Sequence, residues 1–321
     1  MTDEPTMDHD NLHVAWWKPV LFAALAGGMA WGIRGQYGHE TGAMIAGLLV
    51  SLVLTHLLCP KVPITLIVRA AALGTVAMGI GGSMTYGQTV GLTHNANVIG
   101  NGAAWYWGMF GLALKGGTWI GFCGVFLGLG LSGIHYRTRE MFALMFAALG
   151  VFYMGTQSLN FPYYPEAKVL PYFYFSGSWH WEPDTIDLKP RLEMWGGLIL
   201  ALTAIIVYVS FWRKDALARN MAFWGFLGGA IGFPTGQAIQ AYNAWHPGFF
   251  EEKLLGSVAG YMNWWNIMET TFGAIMGACL GLGLWLNRRK IAAALNKDSY
   301  ADTLPIPMEL FLITLHISLL V

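Results

Sequence analysis

The chain has 321 residues, and its 18 Lys and Arg balance 18 Asp and Glu, so the formal net charge is zero. Hydrophobic residues make up 55% of it and charged residues only 11%, against about 25% charged in an average soluble domain. A disordered chain would be more polar, a nucleic-acid partner would call for a basic excess, and so little charge leaves an integral membrane protein as the class that fits.

The first 14 residues, with MTDEPTMDHD at their start, are acidic and lack the basic region of a signal peptide. They read as a cytoplasmic tail. Apolar runs of spanning length follow at 15–34, 41–59, 64–86, 113–134, 141–160, 193–212, 220–240 and 264–286. The expected fold is an all-α polytopic bundle of about eight spans in a single transmembrane domain, 15–286. Residues 287–307 are expected to form a cytoplasmic segment, and 308–321, 14 mostly apolar residues, are expected to form an incomplete ninth helix or one lying in the interface. Arg137 and Arg139, then Arg213, Lys214 and Arg219, then Arg288, Arg289 and Lys290 fall after the fourth, sixth and eighth spans. Basic loops face the cytoplasm, so the amino terminus is expected inside and the odd spans run outward.

Each odd span ends in a similar polar break. The four read Trp31-Gly32-Ile33-Arg34-Gly35-Gln36, Ser83-Met84-Thr85-Tyr86-Gly87-Gln88, Tyr153-Met154-Gly155-Thr156-Gln157 and Phe233-Pro234-Thr235-Gly236-Gln237. The next span then opens on a charge: Glu40, Lys115, Glu193 or Glu269. This pattern predicts four tandem helical hairpins in one orientation, 15–59, 64–134, 141–212 and 220–286, packed through small residues such as Gly225/Gly229 and Gly273/Gly277. Irregular backbone at membrane depth must be buried in protein or line a wet cavity. The breaks are therefore expected around one extracytoplasmic pocket.

The ligand-binding set expected there is Arg34, Gln36, His39, Glu40, Gln88, Lys115, Gln157, Gln237 and Glu269. Ionisable groups near membrane depth are functional sites by default, although an Arg–Glu or Lys–Glu pair that only fixes the structure would use the same residues. Amides offer paired donors and acceptors, and the interleaved Trp and Tyr offer flat faces with polar edges. The same aromatics also fit an interfacial belt, and the glutamines also fit hydrogen bonds between helices. Gly128 to Gly133 matches GxGxxG but ends a membrane run with no strand before it, and His39-Glu40 lacks the second His of a zinc-protease helix. Cys59, Cys123 and Cys279 have no metal or disulfide spacing. No cofactor and no metal is expected.

Two functions fit. The first is a transporter or channel for a small polar, sugar- or polyol-like solute, since repeats around a central polar site are common in transporters. The alternative is a membrane-embedded enzyme on a glycan or lipid-linked substrate, with Glu40 and Glu269 as acid and base. A closed floor beneath the polar site would favour the enzyme, and a route through the bundle would favour transport. Expected partners are the lipid bilayer and the small polar or glycan-like ligand.

Overall fold

The computed structural model describes residues 14–292 apart from 61, 63, 83, 85, 168 and 177–189, together with 307, 310 and 314. The tail before residue 14 and most of the expected segments at 287–307 and 308–321 lie outside the described residues, as do Ser83 and Thr85 of the second break. Among the described residues the fold is all-helical apart from one isolated bridge, Tyr164 to Val169. In chain order the helices are α1 (Trp17–Gly32), α2 (His39–Leu58), α3 (Ile64–Gly82), α4 (Gly87–His94), α5 (Gly102–Leu131), α6 (Thr138–Leu159), α7 (Trp195–Val207, extended by a wider turn to Trp212), α8 (Ala216–Trp245), α9 (Trp264–Leu286) and α10 (Arg288–Ala292). Among the described residues six helical stretches are long and apolar enough to cross a membrane: α2, α3, α5, most of α6, α7 with its extension, and α9. α1 has 16 residues, short of the roughly 17–25 of a span. α8 is long but carries Asn220, Thr235, Gln237, Gln240 and Asn243.

Six helices form a ring. α1 packs on α2, α2 on α3, α3 on α5, α5 on α8 and α8 on α9, and α9 closes back on α1. Neighbours alternate in direction. Gly27 faces Gly273 while Ala23 meets Gly277, Gly81 meets Trp119 while Ala70 meets Gly130, and Gly116 faces Gly229 while Met221 meets Gly124. We call upper the end at which α1, α3 and α8 finish. α6 and α7 form a pair outside the ring, joined to it through α5 and α8.

Backbone contact sets the ring's tightness. A Cβ on Gly229 would sit 1.9 Å from the Gly116 carbonyl oxygen, and one on Gly273 would sit 2.2 Å from that of Gly27. Only glycine allows helices to approach so closely.

Two expectations about breaks change. Pro234 does not end its helix, because α8 runs unbroken from Ala216 to Trp245. Proline removes one backbone donor, but α5 and α9 pack on both sides of this stretch and hold it helical. Tyr153 to Gln157 likewise lies inside the continuous α6. The chain is interrupted only after Gly32 and after Gly82. Helix starts follow caps rather than hydropathy. The Asn101 side chain accepts from the Ala104 amide at 3.0 Å and starts α5 at Gly102, eleven residues before the apolar run at 113. Asp215 does the same for α8 through the Ala218 amide at 2.9 Å.

Candidate functional site

The interruption after α3 places α4 inside the bundle. Tyr86 lies against Trp119 and Phe233, with ring centroids at 6.0 and 5.2 Å. One turn on, Thr89 accepts from the Lys115 ammonium at 2.8 Å, and Thr93 accepts from the Gln237 amide at 2.7 Å. These contacts move toward the start of α5 and the end of α8, so α4 continues upward in the direction of α3. Together they form one discontinuous helix. Its break lies level with Trp119 and Phe233, deep in two 30-residue helices.

Aromatic rings fill the ring's centre at that level. Trp31 of α1 meets Trp119 of α5 at 5.0 Å, although those helices are not neighbours in the ring. Phe272 meets Trp31 at 4.6 Å and stacks on Phe233 at 4.7 Å. Below this plug Val50, Leu54, Val125, Met221, Met276 and Leu280 are fully buried, and the buried polar residues among those described are Ser51 and Thr55 and, at the lower end, Asp215 and Asn287.

Above the plug lies a buried ion pair. α1 ends at Gly32, and a short 3-10 turn turns Arg34 inward, leaving it 2% exposed. Its guanidinium donates to Glu269 and to the Tyr86 hydroxyl and lies over the rings of Tyr86 and Trp31 at 5.2 and 5.6 Å. It also meets His39 Nδ1 at 2.9 Å. Trp265, one turn before Glu269, donates its indole N–H to the carboxylate at 3.0 Å. Two buried atoms remain without a hydrogen-bond partner, Arg34 Nε and Glu269 Oε2.

A second buried pair sits between α5 and the segment before α7. Lys115 donates to Glu193, to Thr89 and to Ser176. Glu193 also accepts from the Ser176 hydroxyl and, at 2.9 Å through Oε2, from the Phe175 amide. Gln88 helps anchor the same segment by accepting from the Arg191 amide at 3.2 Å. Every oxygen of Glu193 and the Lys115 ammonium are engaged. This pair is a clasp holding the segment against α4 and α5, and none of its side-chain nitrogen or oxygen atoms is left without a hydrogen-bond partner.

The expected site residues therefore divide. Arg34, His39 and Glu269 come together, with Glu40 exposed at the rim and close enough to act on the Arg34 charge. Gln36 is exposed beside them. Lys115 and Gln88 belong to the clasp. Lys115 falls mid-helix in α5 rather than at a helix start. Gln237 is fully buried and reaches α4, whereas Gln157 is exposed on α6, outside the ring. Glu269 faces a guanidinium rather than Glu40. Sequence reasoning missed Tyr86 and Trp265 as ligands of the pair and left Glu193 out of the ligand-binding set. The one available signal was Trp265 four residues before Glu269, on the same helix face.

His94 ends α4 and His246 caps α8. Among the described residues no three His, Cys, Asp or Glu side chains gather as a metal-binding set. Comparison with known proteins brings no relative: no known family, no curated protein and no solved structure matches this chain at a significant level.

Proposed function

We propose that the chain is a transporter for a small polar, hydroxyl-bearing solute, bound in the ring above the aromatic plug. The observation that carries this reading is the incompletely satisfied Arg34–Glu269 pair beside the break of a discontinuous helix. Unpaired polar atoms in a buried site are expensive. A solute hydroxyl can accept from Arg34 Nε and donate to Glu269 Oε2. Broken helices at a central site recur in transporters. The plug of Trp31, Trp119, Phe233 and Phe272 then acts as a closed gate. The basic loops after α5, α7 and α9 all fall at the lower end, which supports a cytoplasmic lower face and an extracytoplasmic site.

That same plug favours the second reading. A floor closed by these four aromatic side chains suits an enzyme that works from one side, with Glu269 as the reacting carboxyl. Proteoliposomes separate the two. Labelled glycerol, xylitol and glucose are supplied outside, and accumulation is measured against Glu269→Gln. Transport predicts accumulation of at least one solute, reduced by at least about tenfold in the variant, the equivalent of about 1.4 kcal/mol. No accumulation of any of the three by the wild type, or uptake indifferent to Glu269→Gln, sinks it.

A further inference from the structure

α8 and α9 meet backbone to backbone at Gly236 and Met268, where a Cβ on the glycine would lie 2.3 Å from the Met268 carbonyl oxygen. Gln237 and Glu269 each follow the contact residue of their helix, so they lie at the same level. Gln240 stands one turn higher on α8. Gln237 is 0% and Gln240 7% exposed, and the side-chain oxygen of each is buried without a donor. The Gln237 amide nitrogen is engaged by Thr93, which leaves its oxygen pointing away from that bond.

Among the described residues of the six-helix ring, the unpartnered atoms above the plug are thus three acceptors, Glu269 Oε2, Gln237 Oε1 and Gln240 Oε1, against one donor, Arg34 Nε, while Thr156 Oγ1, Asn160 Nδ2 and Trp195 Nε1 belong to the α6–α7 pair outside it. The buried charges there cancel in two pairs, Arg34 with Glu269 and Lys115 with Glu193. An anion would bring only acceptors to a surplus of acceptors. A cation would add a net charge to a balanced, low-dielectric site. A neutral molecule with several adjacent hydroxyls supplies one donor per hydroxyl and adds no charge. Between the start of α5 and the end of α8 lies a separate cleft of about 320 Å³, lined by Trp105, Tyr106, Ala238, Ala241, Tyr242 and Trp245 and by none of the four residues with unpartnered atoms. Ala238 and Ala241 directly follow Gln237 and Gln240, and flat indole and phenol faces suit the C–H faces of such a molecule.

We infer that Gln237 and Gln240 form a second subsite that accepts hydrogen bonds from a neutral polyol whose other end is held by Arg34 and Glu269. The inference rests on the reading of that pair as a solute site and names the class of its solute. It makes Gln240 a specificity-determining residue with an uncommon signature. Replacing an unpaired buried amide by an apolar side chain of similar size is neutral or stabilising to the empty protein, while the bound solute loses an acceptor.

The test uses the purified full-length protein in detergent, titrated calorimetrically with glycerol, xylitol and glucose and melted without ligand. Expected is binding of xylitol or glucose by the wild type and about tenfold weaker binding by Gln240→Met, with the ligand-free melting temperature equal or higher. Gln237→Met weakens binding similarly, but its melting temperature falls because Thr93 loses a partner. Unchanged affinity in Gln240→Met, with binding still abolished by Glu269→Gln, overturns the second subsite and leaves the central site standing. A lowered melting temperature in Gln240→Met at unchanged affinity shows a structural glutamine and overturns it too. Absence of wild-type binding to all three overturns both readings. Binding without accumulation in proteoliposomes removes transport and keeps the subsite.

Discussion

The Lys115–Glu193 clasp predicts a strongly non-additive pair of substitutions. Both side chains are 1% exposed. Lys115→Met leaves the Glu193 carboxylate buried with only the Ser176 hydroxyl and the Phe175 amide to stabilise it. Breaking a buried pair from one side costs about 3–5 kcal/mol. At roughly 2–4 °C per kcal/mol, the melting temperature falls by about 6–20 °C. Adding Glu193→Gln removes the orphaned charge and keeps an amide oxygen for the Phe175 N–H. The double variant is expected to recover to within about 2 kcal/mol of the wild type, because an uncharged replacement of a buried pair is often nearly neutral. Thermal unfolding in detergent, followed by intrinsic fluorescence, reads this directly. Lys115→Met melting with the wild type, or the double variant melting as low as the single, refutes the clasp as a desolvated ion pair.

The glycine contacts and the lower loops give two further expectations. Gly229→Val forces a branched side chain against a backbone oxygen that a Cβ alone would reach at 1.9 Å. It should destabilise by more than about 3 kcal/mol, the upper range for overpacking, and lower the yield of folded protein in size-exclusion chromatography, whereas Gly150→Ala, with open space around it, should not. In the loop between α5 and α6, burial and the neighbouring Asp215 carboxylate push the Tyr136 hydroxyl above its usual 10. It donates to Asp215 at 2.9 Å. Above pH 10 the unfolded tyrosine ionises while the folded one keeps its proton, so stability falls as pH rises from there. Tyr136→Phe should flatten part of that decline in melts taken between pH 9 and about 11, one unit past the ordinary tyrosine value; an identical pH profile in the variant counts against it.

How much of this was visible in the sequence depends on range. Composition was enough for the membrane class, because charge poverty and apolar runs are local facts. The ends of α1 and α3 were legible too: a Gly-Ile-Arg-Gly run cannot continue a membrane helix cheaply. Pro234 and the stretch at Tyr153 carried the same local signal and proved helical, since neighbouring helices override a single weak turn. Arg34 and Glu269 stood out as costly charges, but nothing nearby announced that they would meet, or that Tyr86 would join them. Glu193 was underrated for the same reason. Its neighbour in the chain is Arg191, yet its partner lies 78 residues earlier. Hydropathy also misjudged the start of α5, where Asn101, a capping residue, set the boundary.

Closing the ring between α1 and α9 has a consequence for biosynthesis. Arg34 is made 235 residues before Glu269. At about 5–20 residues per second, the guanidinium waits roughly 12–47 seconds for its carboxylate. During that interval α1 cannot hold Arg34 at its final depth without an uncompensated charge in the bilayer. The helix is short and ends in a single 3-10 turn, so the arginine can wait in the headgroup layer while α2 to α8 assemble. Arrival of α9 supplies Glu269 and the Gly273 and Gly277 face together. The last long helix among the described residues is therefore the one that draws Arg34 inward, and a chain stalled before α9 would present an open seam and an unneutralised cation to membrane quality control.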